Sequence, residues 1–135
     1  MTKEGYKKIL TVAFYVWVVT LYVLTALPGK SGPEKFSDSP IRWDYFEHFF
    51  LFMGIPVVYF LSGGAGIKAK TARSGMLLIA AGLVYAVLAE VQQIIVPGRA
   101  YNPVDLSLNL SGFLIGIPVG RYFGKIMWKL VPRRF

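Results

Sequence analysis

The sequence predicts an all-α fold, an integral membrane bundle of four transmembrane helices with an N-in/C-in orientation. Three observations carry this. Hydrophobic residues make up 55% of the 135, with a positive mean hydropathy, too apolar for an ordinary soluble domain of this length. Four long apolar runs alternate with short polar stretches. Lys and Arg favour alternate connections, the bias that orients helices under the positive-inside rule. The length suits a single domain, residues 1–135.

The first run, Ile9 to Leu27, has 19 residues and no charge. As a helix it is about 28 Å long, enough to cross hydrocarbon. A cleaved signal peptide would have a shorter core and a small-residue cleavage site, whereas here "PGKSGPE" follows, so a retained anchor is expected. The second run, Tyr45 to Leu61, carries Glu47 and His48 near its start, and Pro56 is expected to kink it. The third, Met76 to Val96, is closed by "PGRAYNP", whose Pro and Gly signal a turn. The fourth begins near Val104, with Asp105 in a first turn where the helix dipole favours an anion, and continues past Pro118 toward Trp128.

The N-terminus (Lys3, Lys7, Lys8), the second connection (Lys68, Lys70, Arg73) and the C-terminal end (Arg121, Lys125, Lys129, Arg133, Arg134) hold eleven of the fifteen basic residues. Both termini are therefore expected in the cytoplasm. The net charge of +8 then reads as an orientation signal, and no nucleic-acid partner is expected; the basic C-terminal end could add a grip on anionic lipid. With no cysteine, disulfides, thiolate metal sites and thiol nucleophiles are excluded. Acids show the opposite bias: Glu34, Asp38, Asp44, Glu47, Glu90 and Asp105 all fall on the outer half.

Spacing draws the outer polar residues together. In "WDYFEHFF", Asp44, Glu47 and His48 stand at i, i+3 and i+4, on one side of a helix. In "EVQQ", Glu90 and Gln93 share a face that Ala86 and Gly82 continue. In "VDLSLNLSG", Asp105 and Asn109 are four apart, and Arg99 in the connecting turn is the expected counter-charge. An acid facing lipid costs roughly 2.5 to 3.5 kcal/mol at mid-bilayer, so these groups should face one another. Gly112, Gly116, Gly120 and Gly124 form a stripe of period four, suited to close packing within the chain or, as an alternative, to a homodimer seam.

The segments "WDYFEHFFLFMGI" and "AEVQQIIVPGRAYNPVDLSLNLSGFLIG" resemble the two signatures of the VanZ-like family: Asp-x-x-x-His-Phe, then Glu-x-x-Gln, a Pro-Gly-Arg turn and Asp-x-x-x-Asn-x-x-Gly. The resemblance covers roughly residues 44–116 and places the family's characteristic residues at Asp44, His48, Glu90, Gln93, Arg99, Asp105, Asn109 and Gly112. Tyr45 stands where the family often has Lys, so that charge is not carried over. The resemblance implies a bacterial envelope setting. The family is named for a protein that lowers sensitivity to teicoplanin, an acylated glycopeptide acting on lipid-linked wall precursors.

Three functional classes and one structural alternative follow, the least favoured being a proton or ion pathway, because the middles of all four helices lack acids. A tentative acid/base centre of His48, Glu90 and Asp105 could act on a headgroup bound by Arg99, Asp44, Glu47, Gln93 and Asn109, Arg99 pairing with an anion. No catalytic motif accompanies it, and Ser107 and Ser111 are expected to bond their own backbone. A binding module would use the same pocket without turnover, with Trp43, Tyr45 and Tyr101 at headgroup depth. The expected ligand is an envelope amphiphile: a membrane lipid, a lipid-linked cell-wall precursor or the antibiotic. No cofactor is assigned, and no metal, because one histidine among carboxylates is a poor imidazole set. In the structural alternative the polar residues are glue in a small membrane scaffold. The reading places an outward-facing polar cluster in the bacterial cytoplasmic membrane.

Overall fold

The computed structural model describes residues 2–27, 43–63, 72–97, 99 and 101–131. The expectations for the side chains of Trp43, Lys30, Lys35, Arg42, Lys68, Lys70, Arg73, Arg133 and Arg134, and for Glu34, Asp38 and Gly98, lie outside the described residues. Four helices account for the four runs: α1 (Lys3–Ala26), α2 (Trp43–Leu61), α3 (Ala72–Val91) and α4 (Pro103–Leu130). A 3₁₀ turn, Gln92–Ile95, continues α3. All four helices are long and apolar enough to span a membrane.

Local chemistry sets the helix ends. Thr2 caps α1 by accepting from the Gly5 amide at 3.2 Å. Asn102 caps α4 by accepting from the Val104 amide at 3.0 Å, and Pro103 fills the first helical position, where no amide donor is needed. At 28 residues α4 is about 42 Å long, longer than the hydrocarbon thickness. Pro56 and Pro118 lie within helices that run through them.

The order is up-down-up-down. Lys3 Nζ donates to the Trp128 carbonyl, putting the start of α1 beside the end of α4. Gly63, just after α2, faces Trp128, and Gly75, early in α3, faces Arg121. Arg99 reaches the last turn of α1, so the opposite end gathers the end of α1, the starts of α2 and α4 and the end of α3. Both described termini therefore lie at the same end of the bundle.

The tightest pairing is α2 against α4. Gly112, Gly116, Gly120 and Gly124 are all buried on this seam. A Cβ at Gly120 would stand 2.7 Å from the Pro56 carbonyl oxygen, and one at Gly124 would stand 2.8 Å from that of Phe60. At Gly112 and Gly116 the backbone oxygens of Phe49 and Met53 are closer still. The stripe thus packs against α2 of the same chain, the internal use expected of it. Phe113, fully buried, lies over Gly82, and Trp17 lies over Gly54 while donating to the Leu51 carbonyl at 3.1 Å. Tyr85 Oη donates to the Val18 carbonyl at 2.9 Å. Lipid gives helices little hydrophobic reason to associate, so close backbone contact and such polar ties hold α1 and α3 to the central pair.

Candidate functional site

At the shared end of α2, α3 and α4, the predicted residues His48, Glu90, Asp105 and Asn109 meet. Each arrives by simple geometry. His48 is in the second turn of α2; Glu90 is the penultimate residue of α3; Asp105 and Asn109 are one turn apart on α4. Asn109 is the hub. Its Nδ2 donates to Glu90 Oε1 at 2.7 Å, and its Oδ1 lies 3.0 Å from His48 Nδ1. His48 Nδ1 is 3.7 Å from Glu90 Oε1, and His48 Nε2 is 3.8 Å from Asp105 Oδ2.

The hydrogen direction follows from what each group can do. A carboxylate only accepts, so the amide nitrogen of Asn109 must face Glu90, and its oxygen faces the imidazole. His48 Nδ1 is then the donor. That leaves Nε2 as the ring atom turned toward Asp105. Glu90 and Asn109 are fully buried, while the His48 and Asp105 side chains are 12% and 9% exposed. Glu90 Oε2 and Gln93 Nε2 are buried with no hydrogen-bond partner among the described residues. Buried polar atoms without partners are rare and point to a missing ligand or water.

Other expected members are placed differently. Glu47 is exposed, because adjacent helical residues differ by about 100° and His48 is the one turned inward. Asp44, one turn before His48, is half-buried and not free of partners. Arg99 makes its hydrogen bonds elsewhere than to the acids. Its Nε donates to the Leu27 carbonyl at 3.0 Å and its Nη2 to the Leu24 carbonyl at 3.4 Å. The final carbonyls of a helix lack intrahelical donors, and this guanidinium supplies them for α1. Ser107 and Ser111 donate to the carbonyls four residues earlier, at 2.8 and 2.7 Å, as expected.

One participant was not singled out from the sequence. Gln92 Nε2 donates to Thr25 Oγ1, which ties the 3₁₀ turn to the buried Thr25 of α1. Its signal was only its position beside Gln93. Among the described residues, no three acid or imidazole side chains converge in a way that could hold a metal ion.

The arrangement can orient an imidazole and present Nε2 beside a carboxylate. Comparison with known proteins adds no relative: no family model, no curated protein and no solved structure matches the chain.

Proposed function

We propose that the chain is a bacterial cytoplasmic-membrane protein whose polar end faces outward and holds the headgroup of an envelope amphiphile. The candidates are a phospholipid, a lipid-linked wall precursor or an acylated glycopeptide. The last rests on the resemblance to the VanZ-like family, which also implies a contribution to teicoplanin resistance. The observation that carries the reading is Glu90 Oε2, a buried atom with no hydrogen-bond partner, on a carboxyl group whose other oxygen lies 3.7 Å from the partly exposed His48. A cluster evolved only to join helices would close its own hydrogen bonds. The roles follow: Glu90, Asp105 and His48 form the titratable centre, Asn109 sets the imidazole, and Gln93 supplies a donor.

The test is the lipid that copurifies with the protein, identified by mass and compared between wild type, Glu90→Gln and Arg99→Ala. Glu90→Gln keeps the oxygen that accepts from Asn109, so the melting temperature should move little while bound amphiphile is lost. Equal lipid in wild type and Glu90→Gln would sink the headgroup reading.

Structural glue is the second reading, favoured by the hub role of Asn109, which joins residues from three helices through 2.7 and 3.0 Å contacts. It predicts instead that Glu90→Gln unfolds the protein in detergent and that no amphiphile is retained by wild type. Orientation is tested separately, since the chain has no cysteine of its own. A cysteine replacing the exposed Tyr101 should react with an impermeant thiol reagent in intact cells, and one replacing the exposed Lys129 should not. The reverse pattern would turn the polar end inward.

A further inference from the structure

Contacts between the helices fix how deep the polar cluster lies. At the basic end, the Arg121 guanidinium stands over the Phe60 ring at 5.4 Å, and a Cβ on Gly75 would meet its Nη2 at 3.8 Å. The last turn of α2, the first turn of α3 and Arg121 therefore share one level. From that level the helices count out nearly the same distance to the cluster. His48 is 13 residues before Leu61 on α2, Glu90 is 14 after Met76 on α3, and Asn109 is 12 before Arg121 on α4. Helix α1 agrees. Gln92, two residues past Glu90, donates to Thr25, which stands 16 residues after Ile9, where the uncharged run of α1 opens. At 1.5 Å per residue, the cluster is about 20 Å from the basic edge. Hydrocarbon is about 30 Å thick, so the cluster lies roughly 10 Å beneath the opposite edge, whichever way the chain is inserted.

At that depth Glu90 exposes no surface, and its Oε2 has no hydrogen-bond partner. A carboxylate oxygen only accepts, so the group that completes it must be a donor. Charged headgroups keep outside hydrocarbon, and a phosphate diester drawn down to Glu90 would add a second anion with no hydrogen to give. An alcohol brings the hydrogen and no charge. We propose that the occupant is an uncharged lipid alcohol, its O–H donated to Glu90 Oε2 below the headgroup layer. This rests on the headgroup reading and narrows it to a headgroup that is a single hydroxyl. A diacylglycerol and a long-chain prenol both present one, and the chemistry at Glu90 is the same.

One measurement tests depth and another tests chemistry. The chain has no cysteine, so nitroxides on Val91→Cys, exposed beside Glu90, and on the exposed Tyr101→Cys report depth in vesicles of phosphatidylcholine and phosphatidylglycerol. The label at position 91 should collide with oxygen and be shielded from an aqueous nickel chelate, and the label at 101 should show the reverse. Equal access of the chelate to both would raise the cluster to headgroup level, overturning the assignment and leaving the headgroup reading in place. Delipidated full-length protein in detergent is then titrated with dioleoylglycerol, its acetyl ester, a long-chain prenol, phosphatidylcholine and phosphatidylglycerol, and bound lipid is counted by intact-protein mass spectrometry. Acetylation removes the O–H and adds no charge. Dioleoylglycerol should be held about tenfold more tightly than its acetyl ester or either phospholipid. Glu90→Gln, which can put an N–H donor where Oε2 stood, should abolish the difference. Prenol binding as tight as that of dioleoylglycerol would show that the hydroxyl alone is recognised; weaker binding, with the effect of acetylation intact, would assign the site to the glycerol backbone.

Equal binding of alcohol and acetyl ester, or tighter binding of a phospholipid, would overturn the alcohol assignment and leave the headgroup reading standing. If no amphiphile binds, both fall. Should Glu90→Gln fail to fold, the comparison of alcohol with ester on the wild-type chain decides alone.

Discussion

Gly112→Ala should break the contact between α2 and α4. Its new Cβ would meet the backbone carbonyl oxygen of Phe49, an atom that no rotamer change can move. Overpacking a well-filled core usually costs 1 to 3 kcal/mol, and here relief requires shifting one whole helix, so a loss of at least about 3 kcal/mol is expected. The end of the seam it would open holds His48 and Asn109, so ligand retention should fall with it. Unfolding in mixed micelles of rising SDS fraction measures the loss. Gly75→Ala is the control: its Cβ would meet only Arg121 Nη2 at 3.8 Å, an ordinary contact, and stability should hardly change. Equal behaviour of the two variants would mean that the seam is looser than the structure has it.

The second large effect is expected from Asn109→Leu. It removes the donor to Glu90 and the acceptor for His48 Nδ1 in one step, at a residue with no exposed surface. Taking away one partner of a buried charged group is far more damaging than replacing the whole group. The expected loss is roughly 3 kcal/mol, much of it the desolvation of the stranded Glu90 carboxylate. The double variant Asn109→Leu/Glu90→Leu should regain part of that stability without regaining ligand. SDS unfolding and copurified lipid, measured on the same preparations, separate the two roles of the cluster. A double variant as unstable as Asn109→Leu alone would assign the damage to packing.

The four spans were legible because membrane helices announce themselves through uncharged runs of sufficient length, and Ile9 to Leu27 is the plainest. The meeting of His48, Glu90, Asp105 and Asn109 was legible too, since alternating spans put three helix ends together and spacings of four or less fix a face. What the sequence withheld depended on contacts between residues far apart in the chain. Nothing near Arg99 in sequence says that the end of α1 will stand within reach of its guanidinium. The tie from Gln92 to Thr25 was hidden by a change of helical phase. A 3₁₀ turn advances about 120° per residue in place of 100°, and it begins at Gln92, so the face that Glu90 defines is not simply continued beyond it. Glu47 was assigned to the site by a spacing shared with Asp44, yet it is the immediate neighbour of His48, and only one of the two can turn inward.

The glycine seam holds a further consequence. Four glycines spaced by four meet backbone oxygens of Phe49, Met53, Pro56 and Phe60 in succession, so the contact nearly repeats after each helical turn. A repeating surface attracts without saying where to stop. Sliding α4 by one turn, about 5.4 Å, would bring most glycines opposite an equivalent carbonyl. The repeat is broken by the Pro56 ring seated at Gly116 and by the pairing of His48 with Asn109 at the seam's end. Adhesion between the two central helices and their alignment thus come from different residues, and the polar cluster is the detent that holds one setting of an otherwise indifferent rail.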